Sequence, residues 1–211
     1  AFLSPLQIFA LLLFHFAEKG LQGTVVRTVS GSFLIDRIAF FYGLPLKETP
    51  VGFKYIAEEI MQNPDFLIGG EESGGLGFRG YLPERDGILS ALFLLEAMAT
   101  QRKPIASILG TLTRRFGPSE TGRMDLPYPE ARWGHLSKKV LARGKKLLSG
   151  DTLVTEGRFD GVKLIGKKSW LLFRMSGTEP LLRIYAEGPS ISRVRTLLLR
   201  GKRFALSETR P

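Results

Sequence analysis

Arg174, Ser176, Gly177 and Thr178 lie close together in the chain and offer what a phosphate needs, several hydrogen-bond donors that converge. The Arg174 guanidinium is a planar fork able to grip two phosphate oxygens, and the Ser176 and Thr178 hydroxyls add neutral donors. Gly177 lets the backbone approach closely with its N–H turned outward. At roughly 1.5–3 kcal/mol for each charge-assisted bond, three or four of them anchor a ligand at about 8 kcal/mol, the micromolar range. The alternative is that Ser-Gly-Thr is simply a turn, because the same residue types populate turns.

A second constellation is Gly69-Gly70-Glu71-Glu72-Ser73-Gly74-Gly75. Glu71 and Ser73 sit two apart in what reads as an extended loop, so both can face one ligand. A carboxylate with a hydroxyl suits the vicinal hydroxyls of a sugar. The paired acids also raise a metal, but adjacent residues in an extended chain point to opposite sides, which counts against a shared ion.

Both constellations need elements to hold them. Trp170 to Met175 and Leu181 to Glu187 read as strands, which makes residues 176–180 a hairpin tip. Phe66 to Ile68 is a short, wholly apolar strand suited to the middle of a sheet, and it runs straight into the glycine-rich loop. Ligand loops of α/β sheets lie at the carboxyl ends of strands, where this one falls. Around it the first part alternates helix and strand patterns. Ser4 caps a helix that opens with Pro5 and stops at Gly20, Thr24 to Val29 is a strand, and Phe33 to Tyr42 is a helix closed by Gly43. Leu46 to Thr49 is extended, a helix runs from about Lys54 to Gln62, and Pro104 to Phe116 is a further helix. Asp86 to Thr100 is helical through Ile88, Leu89, Leu92, Leu95 and Ala99, which would form its apolar face.

From Gly117 to Trp133 the pattern breaks into Pro, Gly and charged residues, which places a domain boundary near Gly117. Beyond it come a helix from Leu136 to Leu148, strands at Gly161 to Ile165 and at the two hairpin arms, and a last helix from about Ser190. The expected architecture is an α/β domain at 1–117, with a mixed sheet and helices on both faces. A smaller α+β domain at 118–211 follows, with a mostly antiparallel sheet and helices on one face.

The 211 residues are 44% hydrophobic and 24% charged, the composition of a globular chain. With no cysteine and only two histidines, disulfides, thiolate metal sites and histidine-rich metal sites are excluded. A reducing, cytoplasmic location fits. The most apolar run, Leu6 to Ala17, is shorter than the roughly 20 residues a membrane span needs and contains His15, so it reads as a buried helix. The formal charge of +10 is unevenly divided: residues 1–117 carry eleven Lys or Arg against eleven Asp or Glu, and residues 118–211 carry nineteen against nine. All the excess lies in the part that holds the Arg174 hairpin, which suggests an anionic partner there.

The Arg-x-Ser-Gly-Thr-Glu-Pro run at Arg174 to Pro180 resembles the phosphate-binding loop of the α-D-phosphohexomutases, the family of phosphoglucomutase and phosphomannomutase. Residues 70–74 resemble that family's sugar loop, Gly-Glu-x-Ser-Gly, and Thr49-Pro50-Val51-Gly52-Phe53-Lys54 is similar to a segment of its third domain. The resemblance covers nearly the whole chain and implies the third and fourth of four domains, the last with a TATA-binding-protein-like layout. It implies phosphate binding by Arg174, Ser176, Gly177 and Thr178, and sugar binding by Glu71, Ser73 and Gly70 in the loop. Glu179 is read as orienting the loop, since an acid repels a phosphate. Lys54 either reaches a phosphate or is the exposed first residue of its helix. Pro83-Glu84-Arg85-Asp86-Gly87 resembles the segment where some members carry a basic residue. Arg85 in that place is suited to charge stabilisation, because arginine stays protonated near neutral pH. Arg79 is a weaker candidate for the same work, and is otherwise a solvent-exposed residue.

The implied reaction moves a phosphoryl group between O1 and O6 of a hexose through a hexose 1,6-bisphosphate. In the family a phosphoserine on the first domain and magnesium on an Asp-x-Asp-x-Asp loop of the second carry the transfer. This chain has no Asp-x-Asp and no serine in a matching context, and Phe2-Leu3-Ser4-Pro5 looks like the stretch that follows the metal loop. The expectation is therefore a recognition half that begins just past the catalytic half, binds glucose or mannose 1- or 6-phosphate, holds no metal and partners the upstream domains. A stand-alone sugar-phosphate module is the alternative, and nucleic-acid binding by the basic second part is a third reading, disfavoured because no aromatic stacking surface is evident. No membrane partner is expected.

Overall fold

The computed structural model describes residues 3–157 and 159–207, so Phe2 lies outside the described residues. The chain divides into two compact units, Ala1–Gly117 and Pro118–Pro211.

In the first unit, helix α1 (Pro5–Glu18) starts with a reciprocal cap: Ser4 Oγ accepts from Gln7 N and Gln7 Oε1 accepts from Ser4 N at 2.9 Å. Gly20, at φ +78°, ends it. Strand β1 (Thr24–Thr28), helix α2 (Phe33–Phe41), strand β2 (Leu46–Thr49), helix α3 (Phe53–Gln62) and strand β3 (Phe66–Gly70) follow as two βαβ crossovers. Strand β4 (Leu76–Phe78) then folds back on β3. The sheet order is β2-β1-β3-β4, with β2, β1 and β3 parallel and β4 antiparallel. Two apolar clusters flank it. Phe9 to Ala17 of α1, with Ile35 and Ile38 of α2, pack with Val25, Leu67 and Phe78 on one face, and Phe53 and Ile56 of α3 pack with Val26 and Phe66 on the other. Helices thus cover both faces, as the alternation implied.

Helix α4 (Gly87–Gln101) and helix α5 (Ile105–Phe116) complete the unit. The expected apolar face of α4 is corrected here. Ile88 is 78% exposed, Leu92 56% and Leu95 60%, whereas Leu89, Phe93, Leu94 and Met98 pack against the core. Apolar residues encircle this helix, so periodicity alone could not choose between two stripes.

The second unit is an all-antiparallel sheet, order β5-β9-β8-β7-β6. Its strands are β5 (Glu120–Pro127), β6 (Leu153–Gly157), β7 (Val162–Gly166), β8 (Trp170–Met175) and β9 (Leu181–Gly188). One face carries Val162, Leu164, Leu171, Phe173, Leu182, Ile184 and Ala186 and packs against helix α6 (Trp133–Arg143) and helix α7 (Ile191–Leu206). Two strands escape the sequence pattern because they are the edges. In β5 only Leu126 is buried, and Val154 of β6 lies exposed, so neither shows the alternation of a half-buried strand. The single helix expected from Leu136 to Leu148 is α6 followed by a 3₁₀ turn over Gly144–Leu148. A Cβ at Gly144 would sit 2.8 Å from Leu164 Cδ1, so the chain presses against β7 where the helix tightens.

Candidate functional site

The parallel strands β1, β2 and β3 all end on one side of the first sheet, and each end delivers polar groups: Thr28 and Ser30 after β1, Thr49 to Gly52 after β2, Gly70 to Gly75 after β3. Since β1 leads by a crossover to β2 on one side and has β3 on the other, the polar crevice lies where α/β sheets place ligands.

The loop after β3 is tightly constrained. Glu71 N donates to Gly75 O at 3.0 Å and Gly74 N to Glu71 O at 3.2 Å, while Gly74 sits at φ +106°, a conformation that favours glycine. The turn holds the Glu71 carboxylate buried, 3.9 Å from Arg85 Nη1. Burial first, and then the neighbouring Glu72 charge, push the Glu71 carboxyl above its ordinary pKa. Arg85 and the backbone N–H of Gly52 pull the other way and do not cancel the rise. Arg85 is exposed, and its guanidinium lies over the Phe53 ring at 5.7 Å. Ser73 is exposed at the tip of the same loop.

Glu72 turns away from Glu71. Its Oε2 accepts from Ser30 Oγ at 2.5 Å and from Thr28 Oγ1 at 3.3 Å, and those two hydroxyls are 3.0 Å apart. Thr28 and Ser30 are buried, and both escaped the sequence reading. The rule that selected the β3 loop would have found them if it had been applied to the end of every strand. Thr49 Oγ1 is also buried here, with no hydrogen-bond partner among the described residues. Beneath these groups Arg27 grips Asp36 through Nε at 2.5 Å and Nη2 at 2.7 Å and also pairs with Glu48. Burial disfavours the Arg27 charge, but the two acids outweigh it and hold its pKa above the ordinary arginine value.

The two glutamates do not make a metal site. Glu71 faces Gly52 and Arg85, Glu72 faces Thr28 and Ser30, and among the described residues no group of three or more His, Asp or Glu side chains could hold an ion. The residues present do not fit the magnesium that the resemblance implies for the whole enzyme.

Arg79, Gly70 and Lys54 are the other candidates in this unit. Arg79 donates to the carbonyls of Phe66 at 2.6 Å, Gln22 at 2.6 Å and Asp65 at 3.1 Å, at the amino end of β3, whereas Glu71 follows its carboxyl end. It is neither near the crevice nor idle in solvent, because it ties β4 to the base of the sheet. Gly70 has a packing reason for lacking a side chain, since a Cβ there would meet Leu76 at 2.3 Å and Phe9 at 2.8 Å. Lys54 is exposed on the first turn of α3 with Nζ 4.8 Å from the Tyr55 ring.

In the second unit the hairpin joins β8 to β9. Ser176 N donates to Leu181 O at 2.8 Å, closing the loop, and Thr178 N lies 3.4 Å from Ser176 Oγ. Gly177, Thr178, Glu179 and Pro180 are exposed. Arg174 is fixed by one bond, Nε to Asp160 Oδ2 at 2.8 Å, which leaves Nη1 and Nη2 without a partner among the described residues. Gly161, at φ +101°, lets the turn before β7 pass against β8; a Cβ there would be 2.3 Å from Phe173 O and 3.1 Å from Arg174 Cβ. Asp160 escaped the sequence reading because only the β7–β8 pairing brings it to Arg174. Glu179 pairs with Arg183 at 3.1 Å.

The excess charge is not at this hairpin. Residues 130–148 and 191–206 carry eleven Lys or Arg and one acid, Glu130, and the rest of the second unit carries eight of each sign. The +10 therefore belongs to the helices on the sheet's covered face and lends the hairpin no support.

A family model described as phosphoglucomutase/phosphomannomutase, alpha/beta/alpha domain III, matches residues 4–116, and the C-terminal domain of the same family matches residues 137–200. The chain belongs to the phosphoglucomutase/phosphomannomutase family. A phosphoglucomutase/phosphomannomutase of Thermococcus kodakarensis is 31% identical over 90% of the chain and 39% of its own length. A phosphoglucosamine mutase of Ruminiclostridium cellulolyticum is 30% identical over 86% of the chain and 37% of its own. The crystal structure of a protein assigned as a phosphomannomutase from Thermus thermophilus superposes with a TM-score of 0.79 at 34% identity, over 97% of this chain and 41% of that one. The chain thus spans about two fifths of the length of these phosphohexomutases. Their names add amino sugars to the glucose and mannose read from the sequence. Among the described residues no helix is long and apolar enough to cross a membrane.

Proposed function

We propose that this chain is the substrate-recognition part of a phosphohexomutase that interconverts hexose 1- and 6-phosphates through a bisphosphate intermediate. The observation that carries the reading is the buried Glu71 carboxylate at the carboxyl end of β3, held by Gly74 and Gly75 and faced by Arg85. A buried acid with a raised pKa at a crevice has no structural need to be there, and it is suited to sugar hydroxyls. Glu71 and Ser73 recognise the hydroxyls, and Arg85 stabilises charge beside them. Lys54, exposed on the neighbouring helix, serves as a steering cation. Arg174 Nη1 and Nη2, the Ser176 and Thr178 hydroxyls and the Gly177 N–H take the phosphate that stays in place.

The nucleophile and the metal are supplied by parts of the longer relatives that this chain does not match, so the chain alone binds without turnover. Magnesium and the 1,6-bisphosphate belong to that complete enzyme, and its setting is the cytoplasm. A ³¹P NMR titration of glucose 1-phosphate, mannose 1-phosphate and glucosamine 1-phosphate tests the recognition claim. The phosphate resonance shifts with wild type and stays at its free position with Arg174→Ala. An unshifted resonance with wild type for all three sugars overturns the reading.

A further inference from the structure

Helices α6 and α7 run antiparallel: Lys139 Nζ of α6 lies 4.7 Å from the Phe204 ring near the end of α7, while Arg193 near the start of α7 bonds Ser149 O beyond α6. Their inner sides are spent on the sheet, α6 through Leu136 and Val140 and α7 through Val194, Leu197, Leu198, Gly201 and Ala205. What remains outward is a cationic layer. Lys138, Arg143, Lys145, Lys146, Arg195, Lys202 and Arg203 have no ion-pair partner among the described residues, although the rest of the unit is charge-balanced. Seven unpaired cations on two adjacent helices and the 3₁₀ turn after the first repel one another, and an anionic partner relieves that repulsion.

The outward stripe of α7 says which partner. Ile191, Arg195, Leu199, Lys202 and Leu206 recur at intervals of three or four, so they share one side of the helix. Aliphatic side chains alternate with cations along it: Ile191 is 66% exposed, Leu199 41% and Leu206 36%. A nucleic-acid surface offers phosphates to the cations and nothing to the aliphatic tips, and among the described residues of the layer no Phe, Tyr or Trp ring is exposed for stacking on bases. A bilayer with anionic headgroups satisfies both, pairing headgroup phosphates with Lys and Arg and taking the aliphatic tips into the acyl boundary. We propose that the α6–α7 layer is a peripheral docking surface for an anionic lipid bilayer. It needs no spanning segment and does not depend on the sugar-phosphate reading.

Cosedimentation of the 211-residue chain with vesicles of equimolar phosphatidylglycerol and phosphatidylcholine, against phosphatidylcholine alone, tests this. Wild type partitions onto the anionic vesicles at low salt and is released at about 1 M salt, where the screening length is about 3 Å. Reversing Arg195→Glu, Lys202→Glu and Arg203→Glu together weakens partition by about a hundredfold. Leu199→Gln with Leu206→Gln, which keeps every cation, weakens it by about threefold or more. Lys138→Glu with Lys145→Glu repeats the charge test on α6 and the 3₁₀ turn after it if the α7 variant fails to fold. Equal partition of wild type onto both vesicle types, folded charge variants that bind as wild type does, or duplex DNA binding without vesicle association would each overturn the proposal.

Discussion

Glu71 carries an unfavourable charge in the free protein, and its pH behaviour follows from that. Its folded-state pKa lies above the ordinary glutamate value of 4.5, so the folded state binds this proton more tightly than the unfolded chain. Its contribution to stability therefore rises as pH falls from neutral through the folded pKa toward 4.5, and the ionised carboxylate is a cost above that window. Glu71→Gln is expected to raise the melting temperature at pH 7, with the gap to wild type closing as pH approaches 4.5. The same change is expected to weaken glucose 1-phosphate binding by about tenfold, because a charged acceptor is lost. Thermal melts at several pH values check the first half and a titration checks the second; a variant less stable than wild type at neutral pH would contradict the assignment of burial as the main cause. Gly161 belongs to this scale too. Gly161→Ala places a Cβ 2.3 Å from Phe173 O at φ +101°, and is expected to cost at least about 1 kcal/mol and to disturb Arg174, as urea unfolding and phosphate titration would show.

At the scale of elements, α4 separates what the sequence carries from what it hides. Leu92→Gln, on the exposed stripe, is expected to change stability by no more than about 0.5 kcal/mol. Phe93→Ala is expected to cost about 2–3 kcal/mol, because the Phe93 ring packs edge-on against Phe16 at 4.9 Å and lies 5.0 Å from Phe78. Denaturant midpoints of the two variants decide between the observed face and the one that periodicity suggests. The elements with a continuous apolar run, such as α1 behind its Ser4 cap and Pro5, or β3, were legible from residues alone. The edge strands β5 and β6 were not, because β5 buries only Leu126 and β6 exposes Val154, which leaves no alternation to read. At the site the same division holds. The loops 70–75 and 174–180 announce themselves by local spacing, and Thr28 and Ser30 emerge once the end of β1 is read in the same way, whereas Asp160 becomes part of a site only through the pairing that brings it to Arg174. Arg79 could not be placed for that reason, since its three carbonyl partners come from residues remote in sequence.

For the whole molecule, the family assignment covers both units, while the chain spans about two fifths of the relatives it matches. A recognition part without nucleophile or metal is expected to show no mutase turnover; a coupled assay following glucose 1-phosphate to glucose 6-phosphate with the purified chain checks this, and measurable conversion would contradict it. The charge distribution bears on the same scale, because the +10 resides in the α6–α7 layer, so the phosphate binding proposed for the hairpin rests on placed donors. Affinity at the hairpin should accordingly depend on Arg174 much more than on the net charge of the unit. Isothermal titration of the chain with glucose 1-phosphate, wild type against Arg174→Ala, tests the central claim most directly. The account predicts micromolar binding by wild type and heats at the dilution level for the variant. Equal heats from the two proteins would contradict it.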